Sequence, residues 1–300
     1  MGWRVLYITE GKHLSLYLDN LKIESQDKSQ TFTIALRDIH SLIIDNYKAS
    51  LTVRILNALT EFNVNVILCN IQHQPQSLVI PLFGAKKAPQ VLKKQLGWDE
   101  HQKQIVHQNI IKAKLLNQLN LLKHLNKDLK SISLLEQYVS EVTFGDVTNR
   151  EGLGAKVYFR ALFGSGFKRF NDDVLNAGLN YGYSIIRSQI SKTLTAKGLN
   201  TCLGIFHRGP ENNFNLSDDF IEPFRPLIDY CVHNLLERVE IFKLEHRTAL
   251  IAQTTKQMYF RKQKHTIFNV MNLYVDSMVN FLETGDLEKI DYPSFRYNEL

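Results

Sequence analysis

Residues 206–226 read FHRGPENNFNLSDDFIEPFRP, which places a histidine, four carboxylates and two arginines within a short span. Asp219, Glu222 and Arg225 follow one another at intervals of three, so on a helix they share a face. Taken alone, the trio fits either a surface ion-pair ladder, which stabilises little, or part of a ligand set. His207 ends the apolar run CLGIF. It either satisfies its ring nitrogens within the core or presents one of them to a ligand. A further acid, Glu151, lies in NREGLGAKVYFRALFG on the same helical face as Ala155, Tyr158 and Leu162. Close behind the capping residue Asn149, it compensates the helix dipole or, on an otherwise apolar face, meets a partner. One imidazole with several carboxylates is a mixed nitrogen–oxygen donor set. Such a set suits a hard divalent ion, magnesium or manganese, better than zinc.

Other chemistries lack their residues. The three cysteines, Cys69, Cys202 and Cys231, form no CxxC pair and suggest neither a disulfide framework nor a thiolate zinc site. There is no GxxxxGK[ST] and no GxSxG, and the GSG at 164–166 is a lone turn. A reaction that consumes a nucleoside triphosphate is therefore not expected. The chain start lacks a basic segment followed by a long apolar run, and no stretch approaches the roughly 18 apolar residues of a membrane span. The expectation is a cytoplasmic protein with no membrane association.

These residues need a scaffold, and the patterning predicts one of two parts. Residues 1–83 alternate at period two through Leu14, Leu16 and Leu18, Leu21 and Ile23, and Phe32, Ile34 and Leu36, then run apolar in HSLIID and VNVILCN. Turn signals at Asp19-Asn20 and SQDKSQ separate the runs, the pattern of a β-rich domain. One helix, Ser50–Phe62 with Ser50 as its cap, interrupts it. Prolines 81 and 89 around Gly84 mark residues 84–92 as a linker. From 93 to 300 the period becomes helical, as in the stripe Ile111, Leu115, Leu119, Leu122, Leu125 and Leu129. A helix is expected to start near Ser217 and to be irregular at Pro223 and Pro226. The end, DYPSFRYNEL, has no periodicity and is expected to be mobile. The fold class is α+β: an N-terminal β-rich domain followed by a larger all-α domain.

Charge is unevenly spread although the total is only +6. Ten lysines from Lys86 to Lys130 face three acids, and nine lysines and arginines between 150 and 210 face another three. Clustering of this kind suits a polyanion, because phosphates release counterions to lysine and arginine whatever their sequence. It equally describes a solvated basic helix face.

The segments NREGLGAKVYFRALFG, NDDVLNAGLNYGYSIIRSQI, GIFH and NLSDDFIEPFRPLID, in this order and spacing, resemble the CRISPR-associated Cas1 family, the integrase of spacer acquisition. The opening MGWRVLYI and the linker region are similar to the branch found in type II systems. The resemblance spans essentially the whole chain. It implies an N-terminal β-sandwich that dimerises, a helical catalytic domain that binds double-stranded spacer and repeat DNA, and homodimers bridged by Cas2. Other type II adaptation proteins and the effector nuclease are implied as further partners.

The resemblance also implies Glu151, His207 and Glu222 as catalytic ligands of Mg2+ or Mn2+, with Asp219 and Arg225 supporting them. Asn149 and Arg150 are implied to orient the carboxylates or touch DNA. Lys168, Arg169, Arg187 and Lys192 are then expected at DNA phosphates, and Tyr181 and Tyr183 either stack on unpaired bases or pack inside. The lysines of 86–130 are expected on duplex backbone. Two departures from familiar members concern loop geometry: RGPENN after the histidine, and glycines 152 and 154 in the first turn of the catalytic helix.

Overall fold

The computed structural model describes residues 2–81, 87–287 and 290–299. The chain forms two compact units, Met1–Lys86 and Lys87–Leu300.

In the first unit the period-two segments become strands. They are β1 (Arg4–Ile8), β2 (Lys12–Tyr17), β3 (Asn20–Ser25), β4 (Thr31–Ala35), β5 (Ile39–Ile44), β6 (Ser50–Leu51), β7 (Asn65–Cys69) and β8 (Pro75–Val79). One sheet has the order β1-β5-β7-β8 and the other β4-β3-β2-β6. Strand β5 lies parallel to both β1 and β7 and is buried at every position. This explains why it reads as a continuous apolar run and not as an alternation. Strands β2 and β3 pair through the two-residue turn Leu18-Asp19, with Leu18 at φ 50. Leu14, Leu21, Leu42, Val66, Ile55 and Leu59 share one core. The helix expected from Ser50 is α1 (Val53–Glu61). Thr52 caps it, not Ser50, because Ser50 and Leu51 are drawn into β6.

The second unit contains α2 (Ala88–Leu96), α3 (Glu100–His124), α4 (Leu129–Glu141), α5 (Arg150–Phe163), α6 (Val174–Ala196), α7 (Asn215–Ile221), α8 (Arg225–Leu236), α9 (Leu244–Gln253) and α10 (Ile267–Thr284). The linker expected over 84–92 is helix from Ala88 onward, and its residues 84–86 lie outside the described set. Pro89 does not oppose this, since it stands in the first turn, where the missing donor costs nothing. Helix α3 packs against α4, α5, α8 and α10 and is buried on much of its circumference. Small residues allow close approaches. A Cβ at Gly154 of α5 would lie 2.4 Å from Leu115 of α3, and one at Gly182 of α6 would lie 2.4 Å from Ile228 of α8.

Two expectations for this unit are corrected. It is not purely helical, for β9 (Gln257–Phe260) and β10 (Gln263–Thr266) form an antiparallel hairpin. Its turn residues Arg261 and Lys262 both have positive φ without the Gly or Asn that usually signals such a turn. The C-terminal segment expected to be mobile is anchored. Phe295 and Tyr297 are buried, Asn117 of α3 donates to the carbonyl of Pro293 at 2.9 Å, and its side-chain oxygen accepts from Phe295 at 3.1 Å.

Candidate active site

Glu151 enters the site from the first turn of α5. Asn149, at φ 51, caps that helix by accepting the N–H of Gly152 at 3.1 Å. Asp146 accepts the N–H groups of Arg150 and Glu151 at 2.9 and 3.0 Å. Two acceptors thus satisfy three of the free donors of the first turn. Below Glu151 on the same face, Tyr158 and Leu162 are buried. Arg150 turns away toward Glu141 at 3.0 Å and lies over the Tyr138 ring, so it does not orient the carboxylates.

His207 and Glu222 come from the segment around α7. This helix starts at Asn215, two residues before the expected Ser217, and ends in a 3-10 turn, Glu222–Phe224, before α8 begins at Arg225. Pro223 and Pro226 account for the break, since neither has an N–H to continue an α-helical ladder. Asp219 of α7 organises the loop before it. Its carboxylate accepts the backbone N–H of Ile205 at 2.5 Å, of Phe206 at 3.1 Å and of His207 at 2.9 Å, and binds the His207 Nδ1 at 2.7 Å. With Nδ1 held as a donor, Nε2 is the ring nitrogen left with a lone pair. The hydrogen bond with Asp219 raises the His207 pKa above the ordinary imidazole range.

The acids 151 and 222 meet through a residue that the sequence reading grouped with the DNA-binding lysines. Lys114 of α3 is buried, with its Nζ 2.7 Å from Glu151 Oε1 and 2.6 Å from Glu222 Oε2. Arg225 Nε donates to the other oxygen of Glu222 at 2.8 Å. Burial alone would push the Glu222 carboxyl up, but Arg225 and Lys114 hold it down at about 2. Burial likewise opposes the Lys114 charge, and Glu151 and Glu222 overcome it and raise its pKa above the usual range. Lys114 is therefore no duplex contact. A signal in the sequence could have separated it: it occupies the apolar stripe of α3 with Ile110, Ile111 and Leu115.

Arg225 continues inward. Its guanidinium stacks 4.6 Å from the Tyr183 ring centre, and the Tyr183 hydroxyl donates to Asp229. The Tyr158 hydroxyl donates to the other Asp229 oxygen at 2.8 Å. A continuous chain of contacts thus links Glu222 on its 3-10 turn to α5, the helix that carries Glu151. Asp229 is fully buried, and burial raises its carboxyl to about 6 against the lowering by both tyrosines.

The donors fit a hard divalent ion in kind: two carboxylates converging on one point and an imidazole whose Nδ1, not Nε2, is taken by Asp219. In placement, the point of convergence holds an ammonium, and among the described residues no three His, Cys, Asp or Glu side chains are gathered as a cage.

The expected DNA contacts divide. Lys168 is exposed, whereas Arg169 donates to Asn176 and Asn180 and Arg187 leans on Asp218 and the Phe214 ring. Lys192 is half-buried, and burial lowers its pKa to about 8. Tyr181 and Tyr183 are buried, and Tyr181 lies edge-on to Phe242, so neither offers a face to a base. The exposed aromatic beside the site is Phe206, 48% accessible and stacked at 3.7 Å on the buried His107. It borders a cavity of about 340 Å³ shared with Lys103 and Arg208.

Residues 6–263 match the family described as CRISPR associated protein Cas1. The chain is 35% identical over 292 residues to the CRISPR-associated endonuclease Cas1 of Neisseria meningitidis serogroup C, covering 96% of this chain and 94% of that one. In fold it is similar to a casposase bound to integration product, with a TM-score of 0.75 and 20% identity over 98% of this chain and 94% of that one. A chain of a Cas6-RT-Cas1–Cas2 complex also has a TM-score of 0.75, at 17% identity over 98% of this chain and 36% of that one. Among the described residues no helix is long and apolar enough to cross a membrane.

Proposed function

The chain belongs to the CRISPR-associated Cas1 family, and from that premise we propose that it is a divalent-metal-dependent DNA integrase. It joins 3′-hydroxyl ends of spacer DNA into a repeat. The observation that carries this reading is the convergence of Glu151 and Glu222 on one cation position; His207, its ring fixed by Asp219, precedes α7, the helix that leads into Glu222.

Glu151, Glu222 and the Nε2 of His207 are the groups that would hold magnesium or manganese. When bound, the ion supplies Lewis-acid stabilisation of charge on the attacking and leaving oxygens. The chain's own residues prepare for this. Asp219 keeps the proton on Nδ1, Arg225 anchors Glu222, and Asp146 with Asn149 fixes the turn that carries Glu151. In the reaction the attacking 3′-oxygen forms a bond to phosphorus, the existing phosphorus–oxygen ester bond breaks, and the proton lost by one hydroxyl is regained by the other. One phosphodiester replaces another, so no nucleoside triphosphate is needed.

Lys168 is exposed and able to meet a phosphate, Lys103 and Arg208 would have to leave Glu100, which they contact at 2.8 and 3.8 Å, and Phe206 is a surface on which a splayed base would stack. Dimerisation through the N-terminal unit, bridging by Cas2 and contact with other type II adaptation proteins complete the reading on the strength of the family resemblance.

The test is a strand-transfer assay with a short duplex bearing 3′-hydroxyl ends and a supercoiled plasmid containing a repeat. Joined product that depends on Mg2+ or Mn2+ is expected, and cutting without joining would mark a branched-DNA nuclease instead. A second reading, a non-catalytic DNA scaffold, draws on the fact that Glu151 and Glu222 already have cationic partners. It requires equal DNA binding in chelator and no turnover with any divalent ion.

A further inference from the structure

We infer that Lys114 is a resident cation in the ion's place, and that a divalent ion enters the site by exchange for its ammonium. This rests on the reading of Glu151 and Glu222 as ligands. One Nζ contacts both carboxylates, which holds their oxygens within the sum of 2.7 and 2.6 Å of each other. Oxygen ligands stand about 2.0–2.2 Å from magnesium or manganese, so each carboxylate need close only by about half an ångström. The ammonium prevents the collapse or repulsion of two acids facing each other without an ion. It must vacate that position before both can ligate.

The neighbours of Lys114 make the exchange feasible. Glu222 keeps Arg225 at 2.8 Å when the ammonium leaves, so its second oxygen is not stranded. Gln118 lies one turn along α3 on the same face as Lys114. It is 1% exposed, and its side-chain oxygen has no hydrogen-bond partner among the described residues. That buried acceptor provides a polar resting place for the displaced ammonium, which otherwise faces the cost of an unpaired charge. A lysine that only braced two helices would need no second acceptor.

The exchange makes the site weaker for metal than its donors alone would be, because the ion displaces a bound positive charge. Mn2+ titration followed by the EPR signal of the free aqua ion tests this on the full chain, using wild type, K114M and E151Q. K114M is expected to bind Mn2+ about ten-fold more tightly than wild type, a gain of about 1.4 kcal/mol, and E151Q to bind it more weakly. If K114M binds no tighter than wild type while E151Q loses affinity, the exchange is wrong and the metal reading stands. If neither wild type nor K114M takes up Mn2+, the metal reading fails and the exchange with it.

Should K114M not fold, wild type supplies the same decision. The 13Cε resonance of Lys114, followed by NMR, is expected to shift on Mg2+ addition as the ammonium leaves the two carboxylates for the Gln118 carbonyl. An unchanged resonance on metal uptake overturns the inference.

Discussion

Asp219 holds His207 twice with one oxygen: Oδ1 accepts the backbone N–H at 2.9 Å and meets the ring Nδ1 at 2.7 Å. Loop position and tautomer are therefore set by the same carboxylate, whose other oxygen takes the N–H groups of Ile205 and Phe206. Asp219→Asn should lower strand transfer and Mn2+ affinity by about 10- to 100-fold. It should also shift the pH profile. Asp219 raises the His207 pKa, and the ring must be neutral to ligate, so in the variant the acid limb moves to lower pH as the maximum falls. A profile that drops without moving would deny Asp219 this part.

Glu151→Gln, His207→Ala and Glu222→Gln should each reduce strand transfer to background while DNA affinity persists in a filter-binding assay. Full activity in any one refutes that residue's role. Glu222→Ala should in addition destabilise the fold by about 3 kcal/mol or more, because it leaves Lys114 and Arg225 without their shared buried anion. Urea unfolding measures this.

Asp229 gives the second unit a pH-dependent stability of calculable sign. Burial raises its carboxyl from 3.8 to about 6, so between those values the folded chain retains a proton that the unfolded chain has lost. The stability it contributes is fully present below about pH 4 and is lost as the pH rises through about 6. The full span is about 3 kcal/mol. Asp229→Asn removes the titration, so its stability relative to wild type should improve by about that amount from pH 4 to pH 8. An equal gap at both pH values would contradict the assignment.

Phe206→Ala should weaken binding of a duplex with single-stranded 3′ ends by about 1–3 kcal/mol and leave blunt duplex binding unchanged. Tyr181→Phe should alter neither, since that ring is buried. Fluorescence anisotropy with the two DNAs separates the outcomes.

Gly154→Ala should cost about 1–3 kcal/mol, because its Cβ would lie 2.4 Å from a Leu115 methyl between α5 and α3. The same displacement would carry Glu151 away from Lys114, so activity should fall with stability. Gly154→Ala combined with Leu115→Ala should cost less than the sum of the two separate losses, as measured in a double-mutant cycle.

Local pattern carried a large part of this far. Period-two runs became strands, and Asn149 with the spacing of Tyr158 and Leu162 marked both the start and the buried face of α5. The hairpin β9–β10 escaped because Arg261 and Lys262 adopt left-handed conformations that their side chains do not advertise. The C-terminal segment escaped because its anchors, Phe295 and Tyr297, are held by Asn117, a residue far away in the sequence. Tyr181 and Phe206 exchanged places for a related reason. Both are aromatic beside polar neighbours, and only the packing of α6 against other elements decides which ring is covered.

What the sequence by itself determined was the family resemblance, the two-part α+β fold and the acids and imidazole worth watching, because residue type and local spacing encode those directly. Only the tertiary structure decided which groups meet. Lys114 is one of ten similar lysines between 86 and 130, and its charge acquires a role when α3 carries it between Glu151 of α5 and Glu222 before α8. A side chain's periodicity is local, whereas the electrostatic partner that makes a buried charge tolerable comes from another helix.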